Sequence, residues 1–158
     1  MISKITSPSK SIRSRAPIAS SPTVRKVMQA VPGRNTVPEK ALRSILHRMG
    51  LRFRIDSEPV RSIRCKADII FPKAKVSVFI DGCFWHGCPK HFQPPKTNTD
   101  WWLEKVRDNQ ERDKRKTMLI KKYEWVVLRY WEHEIQGANA IKTANKIYRV
   151  VTKRHQEI

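Results

Sequence analysis

Acidic side chains are scarce in this sequence. Its 14 Asp and Glu face 33 Lys and Arg, which leaves a formal charge of +19, and no acid occurs before Glu39. A field of that sign on a small surface repels cations and draws polyanions, nucleic acid first among them. Cysteine is nearly as rare: three residues, an odd count, do not make a disulfide framework, and Cys83 and Cys88 with histidines nearby point to metal ligation in a reducing compartment. Long apolar runs are missing too. No stretch approaches the ~20 residues that span a bilayer, and no basic stripe has a sustained apolar face behind it, so a membrane partner is not expected. The N-terminal segment lacks the apolar core of a secretory signal. No internal repeat is visible.

What is present fits one domain with one site, since 158 residues can bury a core but cannot supply two ordinary domains with linkers. Residues 1–20, rich in Ser, Pro, Lys and Arg, predict a flexible basic arm; a transit peptide would share that composition, and a DNA-attracting arm is the simpler reading. The domain is placed at residues 21–158. Ser21 and Pro22 open a short helix carrying Val24, Val27 and Met28, closed by Pro32 and Gly33. Thr36, Pro38 and Glu39 make a capping-box start for a second helix, whose Leu42, Ile45, Leu46 and Met49 recur at helical spacing up to Gly50. The period then changes. Leu51, Phe53 and Ile55 alternate with polar residues, and residues 67–71 and 75–80 read as neighbouring antiparallel strands around a turn at Pro72. Residues 82–98 have a loop composition whose order must come from metal or packing. A long helix is expected from Asp100 towards Lys122, a strand over 123–130, and a closing helix marked by Ile141, Ala144, Tyr148 and Val151. The fold class is therefore α/β, with a central mixed sheet flanked by helices.

The most informative segment is 79–91, FIDGCFWHGCPKH. Directly after a strand it gathers an acid, two thiols, two histidines and two large aromatics, which a plain core strand does not need. Asp68 opens the preceding strand, so Asp68 and Asp81 should stand at the ends of adjacent strands, where carboxylates can share Mg²⁺ and hold a scissile phosphate.

VRKVMQA at 24–30, Thr36 to Lys40, Ala67-Asp68, GCFWH at 82–86, Trp102 to Lys105 with Asn109, Glu111-Arg112-Asp113 and Trp131-Glu132 follow one another in the order seen in very-short-patch repair (Vsr) endonucleases. The chain resembles that family over roughly residues 21–137. The resemblance implies a restriction-endonuclease-like fold, a Mg²⁺-dependent nick 5′ of the thymine of a T:G mispair in double-stranded DNA, and a structural zinc. It gives Asp68 the metal, His86 the catalytic imidazole and Glu39 the support of metal-bound water. Met28, Phe84 and Trp85 match residues that wedge into DNA beside the mispair, and Lys105 and Asn109, one helical turn apart, match positions near it. Such an enzyme is expected as a monomer in the bacterial cytoplasm at the nucleoid, with other repair proteins as further partners.

Two positions depart from the best-known form of the family. Ile80-Asp81 replaces a Thr-His pair, so Ile80 keeps only its backbone carbonyl to offer and Asp81 brings an added carboxylate for Mg²⁺. Trp131-Glu132-His133 replaces Trp-Glu-Cys, and His remains a competent zinc ligand. Cys83, Cys88, His91 and His133 then make the four N/S donors of a closed tetrahedral site, with His155 or Cys65 as substitutes for His91.

Each residue also has a plainer reading. Glu39 stands where a capping box puts Glu, Asp81-Gly82 is ordinary turn chemistry, and His86 could be a zinc ligand. Phe84, Trp85 and Met28 could be core, Cys65 suits a small buried position, one of Trp101 and Trp102 should be buried, and His47 should be solvated. The run from Lys105 to Lys116 reads as a solvated helix face with Asp108–Arg112 and Glu111–Arg115 pairs.

Overall fold

A computed structural model describes residues 35–157. The basic arm, the helix expected over 21–31 and Met28 lie outside the described residues. Helix α1 (Val37–Arg48) starts as its sequence dictates: the Thr36 hydroxyl accepts from the Glu39 amide and Pro38 sits in the first turn. Glu39 closes the cap by accepting from the Asn35 N–H at 2.9 Å, the residue before the one a standard capping box uses. Strands β1 (Arg54–Ser57), β2 (Ala67–Phe71), β3 (Val76–Asp81) and β4 (Val126–Trp131) form one sheet in that order. The first two pairings are antiparallel and β3–β4 is parallel. A parallel neighbour requires a crossover, which the long helix α2 (Thr99–Lys121) supplies before α3 (Asn139–Glu157) closes the fold.

The helices divide between the two faces. Leu42 and Leu46 of α1 and Ala144, Ile147 and Val151 of α3 pack with Ile69, Phe71, Val76 and Val78. Ile120 of α2 packs with Cys65, Ala67, Ile70 and Phe79 on the other cluster. Leu42 and Leu46 are fully buried, each worth about 1.5–3 kcal/mol relative to exposure.

Three boundaries differ from the sequence expectation. Leu51 and Phe53 do pack inward, Phe53 edge-on to Phe71 at 5.8 Å, but the ladder begins at Arg54 on the sheet edge and Ile55 is exposed. The last strand starts at Val126 because α2 runs to Lys121 and Glu124 adopts a left-handed φ of 65° before it. The closing helix buries Ala140, Thr143, Ala144, Ile147 and Val151, whereas Ile141 and Tyr148 are 58% and 37% exposed. Both phases hold Ala144 and Val151, and the Thr143 hydroxyl decides between them by donating to the Glu134 carbonyl at 2.7 Å, which gives a buried polar group its partner.

Loop 82–98 is fastened to α2. Asn109 and Gln110 donate side-chain amides to the Trp85 and His86 carbonyls, each at 2.9 Å. Directly after these two residues Gly87 has a φ of +68°, and a Cβ there would meet Val106 Cγ1 at 2.5 Å and Gln110 Nε2 at 2.8 Å. Gly87→Ala should therefore cost stability on both counts, the left-handed backbone and the overpacked contact, by about 2–4 kcal/mol. Chemical denaturation with an unchanged m-value checks this; an Ala variant as stable as the parent would show that the loop is not seated on α2.

Candidate functional site

The antiparallel β2–β3 pair puts the start of β2 beside the end of β3, and the parallel β3–β4 pair sets Asp81 opposite Trp131. Two groups of side chains converge on that edge of the sheet.

The first is a cleft of about 290 Å³ whose lining includes Asp68, Asp81, His86, Asp113 and Arg129. Asp68 accepts the Ile80 amide at 2.7 Å. Burial pushes its carboxyl from 3.8 up to about 6; the Ile80 hydrogen bond opposes this, and Glu39 and Asp81 add to it. Glu39 is buried against Arg43, whose guanidinium reaches Oε2 at 2.6 Å. Opposite, His86 Nδ1 lies 2.6 Å from Asp113 Oδ2 and 3.7 Å from Asp81 Oδ1. Burial raises the Asp113 carboxyl, but the His86 hydrogen bond and the nearby Arg129 outweigh it and hold the group below the usual range. A carboxylate on Nδ1 assigns the proton to that nitrogen and leaves the Nε2 lone pair as an acceptor.

Asp68 fits a divalent cation: it is a largely desolvated carboxylate whose hard oxygen donors suit Mg²⁺. Asp81 stands at the end of β3 beside Asp68 of β2, as the sequence predicts, but its carboxylate is taken by another side chain. Arg129 Nε donates to its Oδ2 at 2.8 Å and Nη2 donates to its Oδ1, so both oxygens are engaged.

The second group is Cys83, Cys88, His91 and His133, whose ligand atoms all lie within 4.8 Å of one another. Cys83 Sγ is 3.3 Å from His133 Nδ1, and Cys88 Sγ is 3.6 Å from His91 Nδ1. A tetrahedral ion with bonds of about 2.0–2.3 Å separates its ligands by roughly 3.5 Å, so the donor set fits a closed metal site. His86 and Cys65 belong to the cleft, and neither is part of this cluster.

The aromatics are split. Trp102 is core, Trp85 is 36% exposed, and Phe84 stacks among Trp85, Phe92 and Trp102 at 5.2–5.8 Å. Lys105 is exposed on α2. Asn109, expected as a DNA contact, is buried at 7% exposure with its amide on the Trp85 carbonyl, where it holds the loop. Arg112, expected to pair with Asp108, lies 3.5 Å from Asp113. Sequence reasoning gave no role to Asp113 or Arg129. The one local signal for Arg129 is a charge inside the otherwise apolar strand VVLRYW, where a buried cation needs a partner.

Because folding raises the Asp68 pKa from 3.8 to about 6, folding favours its protonated form. In metal-free protein the ionised form costs stability, a cost absent below pH ~4 and complete above pH ~6. Asp68→Asn, which keeps an acceptor for Ile80, should therefore be more stable than the parent at pH 7–8 by roughly 1–3 kcal/mol, with the difference fading towards pH 4. Thermal melts across that range decide it; a constant or inverted difference would contradict the assignment.

Comparison with known proteins bears on the same residues. Residues 18–92 match the family model described as DNA mismatch endonuclease Vsr. The chain is 47% identical over 109 residues to the type II nicking enzyme V.NaeI of Lentzea aerocolonigenes, covering 68% of this chain and 66% of that protein. It is 38% identical to the type II nicking enzyme V.XorIIP of Xanthomonas oryzae, covering 75% and 85%. Against the DNA mismatch endonuclease Vsr of Escherichia coli it is 36% identical, covering 73% and 72%. The chain belongs to the Vsr family of DNA endonucleases.

Proposed function

We propose that this endonuclease nicks one strand of double-stranded DNA 5′ of the thymine in a T:G mispair, with Mg²⁺ on Asp68 and zinc in the Cys83, Cys88, His91 and His133 cluster. The observation that carries the chemistry is the His86–Asp113 pair, 2.6 Å apart, in the cleft that Asp68 also lines. Asp113 fixes the ring so that Nε2 takes a proton from the attacking water, a role worth ~10²–10⁴ in rate. The Ile80 amide holds Asp68, and Glu39 would support the metal-bound water. When bound, Mg²⁺ supplies positive charge to the phosphate and to the leaving oxygen. Zinc supports this arrangement from outside by tying loop 82–98 to the segment after β4.

The mispair assignment is supported by the name of the Escherichia coli relative and by the outward position of Trp85. A T:G pair keeps two hydrogen bonds and differs from a normal pair chiefly in geometry and ease of deformation, so an aromatic wedge discriminates where hydrogen bonds would not. Phe84 backs Trp85, Met28 serves as the opposing wedge, and Lys105 contacts the DNA near the mispair. The chain acts as a monomer at the bacterial nucleoid, and other repair proteins are its further partners. Among the described residues no helix is long and apolar enough to cross a membrane.

A Mg²⁺-dependent assay on matched, T:G and single-stranded substrates tests this reading. Cutting is expected on the T:G duplex alone, with Asp68→Ala and His86→Ala inactive but still DNA-binding. Full cutting by Asp68→Ala would remove the mechanism, and equal cutting of matched duplex would remove the mispair. Trp85→Ala should weaken T:G binding by ~1–3 kcal/mol and random-duplex binding less; equal losses would return Trp85 to a packing role.

The metal assignment has its own check. One zinc per chain should copurify and resist dialysis, and Cys88→Ser or His133→Ala should lower both zinc content and melting temperature. Folded, active protein without zinc by elemental analysis would contradict it.

A further inference from the structure

Asp81, His86 and Asp113 place their ligand atoms within 4.8 Å of one another, a set that would mark a divalent-cation site. The sequence alone would give that site Asp81 as a metal ligand. A protein cation already stands there. Arg129, from the adjacent parallel strand, lays one edge of its guanidinium along both oxygens of Asp81, and the same Nη2 lies 3.3 Å from Asp113 Oδ2. Nη1 donates to Thr117 Oγ1 at 3.3 Å, and the guanidinium carbon lies 5.1 Å from the Phe79 ring centroid. With a side chain 25% exposed, Arg129 has partners on each nitrogen and an aromatic against its face. A planar guanidinium suits such bidentate, stacked sites, and Lys does not reproduce them. A divalent ion added among the same three side chains would sit beside this fixed positive charge in a half-buried site, where like charges repel strongly.

We propose that Arg129 is the resident cation of the Asp81–His86–Asp113 cluster. Asp81 is thereby withdrawn from metal binding, and divalent ions are confined to the Asp68 side of the cleft. Arg129 is a positioning residue: it fixes Asp113, and Asp113 fixes the His86 ring. The inference rests on the proposed chemistry only for what His86 does.

Metal binding tests it apart from catalysis. Zinc-loaded full-length protein is titrated with Mn²⁺ and followed by electron paramagnetic resonance in an Asp68→Ala background, which removes the other site. No Mn²⁺ should bind the cluster while Arg129 is present. Arg129→Met should create one Mn²⁺ site per chain, lost again on adding Asp113→Asn, and Arg129→Lys, which keeps the charge, should create none. Folded Arg129→Met protein that gains no ion would overturn the proposal. Should that variant fail to fold, the parent decides: crystals soaked in Mn²⁺ should show no anomalous peak between Asp81 and Asp113, and a peak there overturns the proposal equally. Parent protein, with Asp68 intact, that shows no Mn²⁺ between Asp81 and Asp113 but cuts no DNA would sink the functional reading and leave this one standing.

Discussion

The parallel pairing of β3 and β4 is the constraint on which the rest depends. With Asp81 opposite Trp131, both strands end on the same edge of the sheet, and the residues after them are forced together. Cys83, Cys88 and His91 follow one strand and His133 the other, which is how donors some fifty positions apart come to share one metal cluster. The same register sets Arg129 against Phe79 on the face that α2 covers. The crossover that a parallel pair requires is α2 itself, and it brings Asp113 to His86 while Asn109 and Gln110 hold the loop backbone. This pairing thus assembles the metal cluster and the His86 side of the cleft, and the antiparallel β2–β3 pair adds Asp68.

Charge is partitioned within the cleft. On one side burial, with Glu39 and Asp81 nearby, raises the Asp68 pKa against the Ile80 hydrogen bond and the charge of Arg43. On the other, Arg129 compensates Asp81 and Asp113, and Asp113 holds the His86 ring through Nδ1. The surplus of Lys and Arg over the whole chain draws a phosphate backbone towards the molecule, while the acids are few and several of them are gathered in the cleft. The overall field draws DNA, and within the cleft three carboxylates stand among Lys66, Arg112, Lys116 and Arg129.

Much of this was legible in the sequence because it is written locally. The T-x-x-E spacing announces the start of α1, and the FIDGCFWHGCPKH segment carries its acid, thiols and imidazoles within thirteen positions. Less legible was whatever depends on which neighbour a side chain meets. Asn109 looks like a surface amide one turn from Lys105, yet the loop packed above it turns it into a buried donor. Asp113 is one acid in a charged run, indistinguishable from its solvated neighbours until His86 is set against it. Arg129 reads as an interruption of an apolar strand, and its meaning appears only with the β3 register. The phase of α3 was missed because apolar spacing alone allows two faces and the Thr143 hydroxyl selects one.

The central claim is that this cleft, with one metal-binding side and one imidazole held by Asp113, makes a single hydrolytic cut on one strand. Mapping the cut on a T:G duplex labelled on both strands tests it most directly. The account predicts one break, 5′ of the mispaired thymine, leaving 3′-hydroxyl and 5′-phosphate ends, with the G strand intact. Breaks in both strands, or ends bearing a 3′-phosphate, would contradict it.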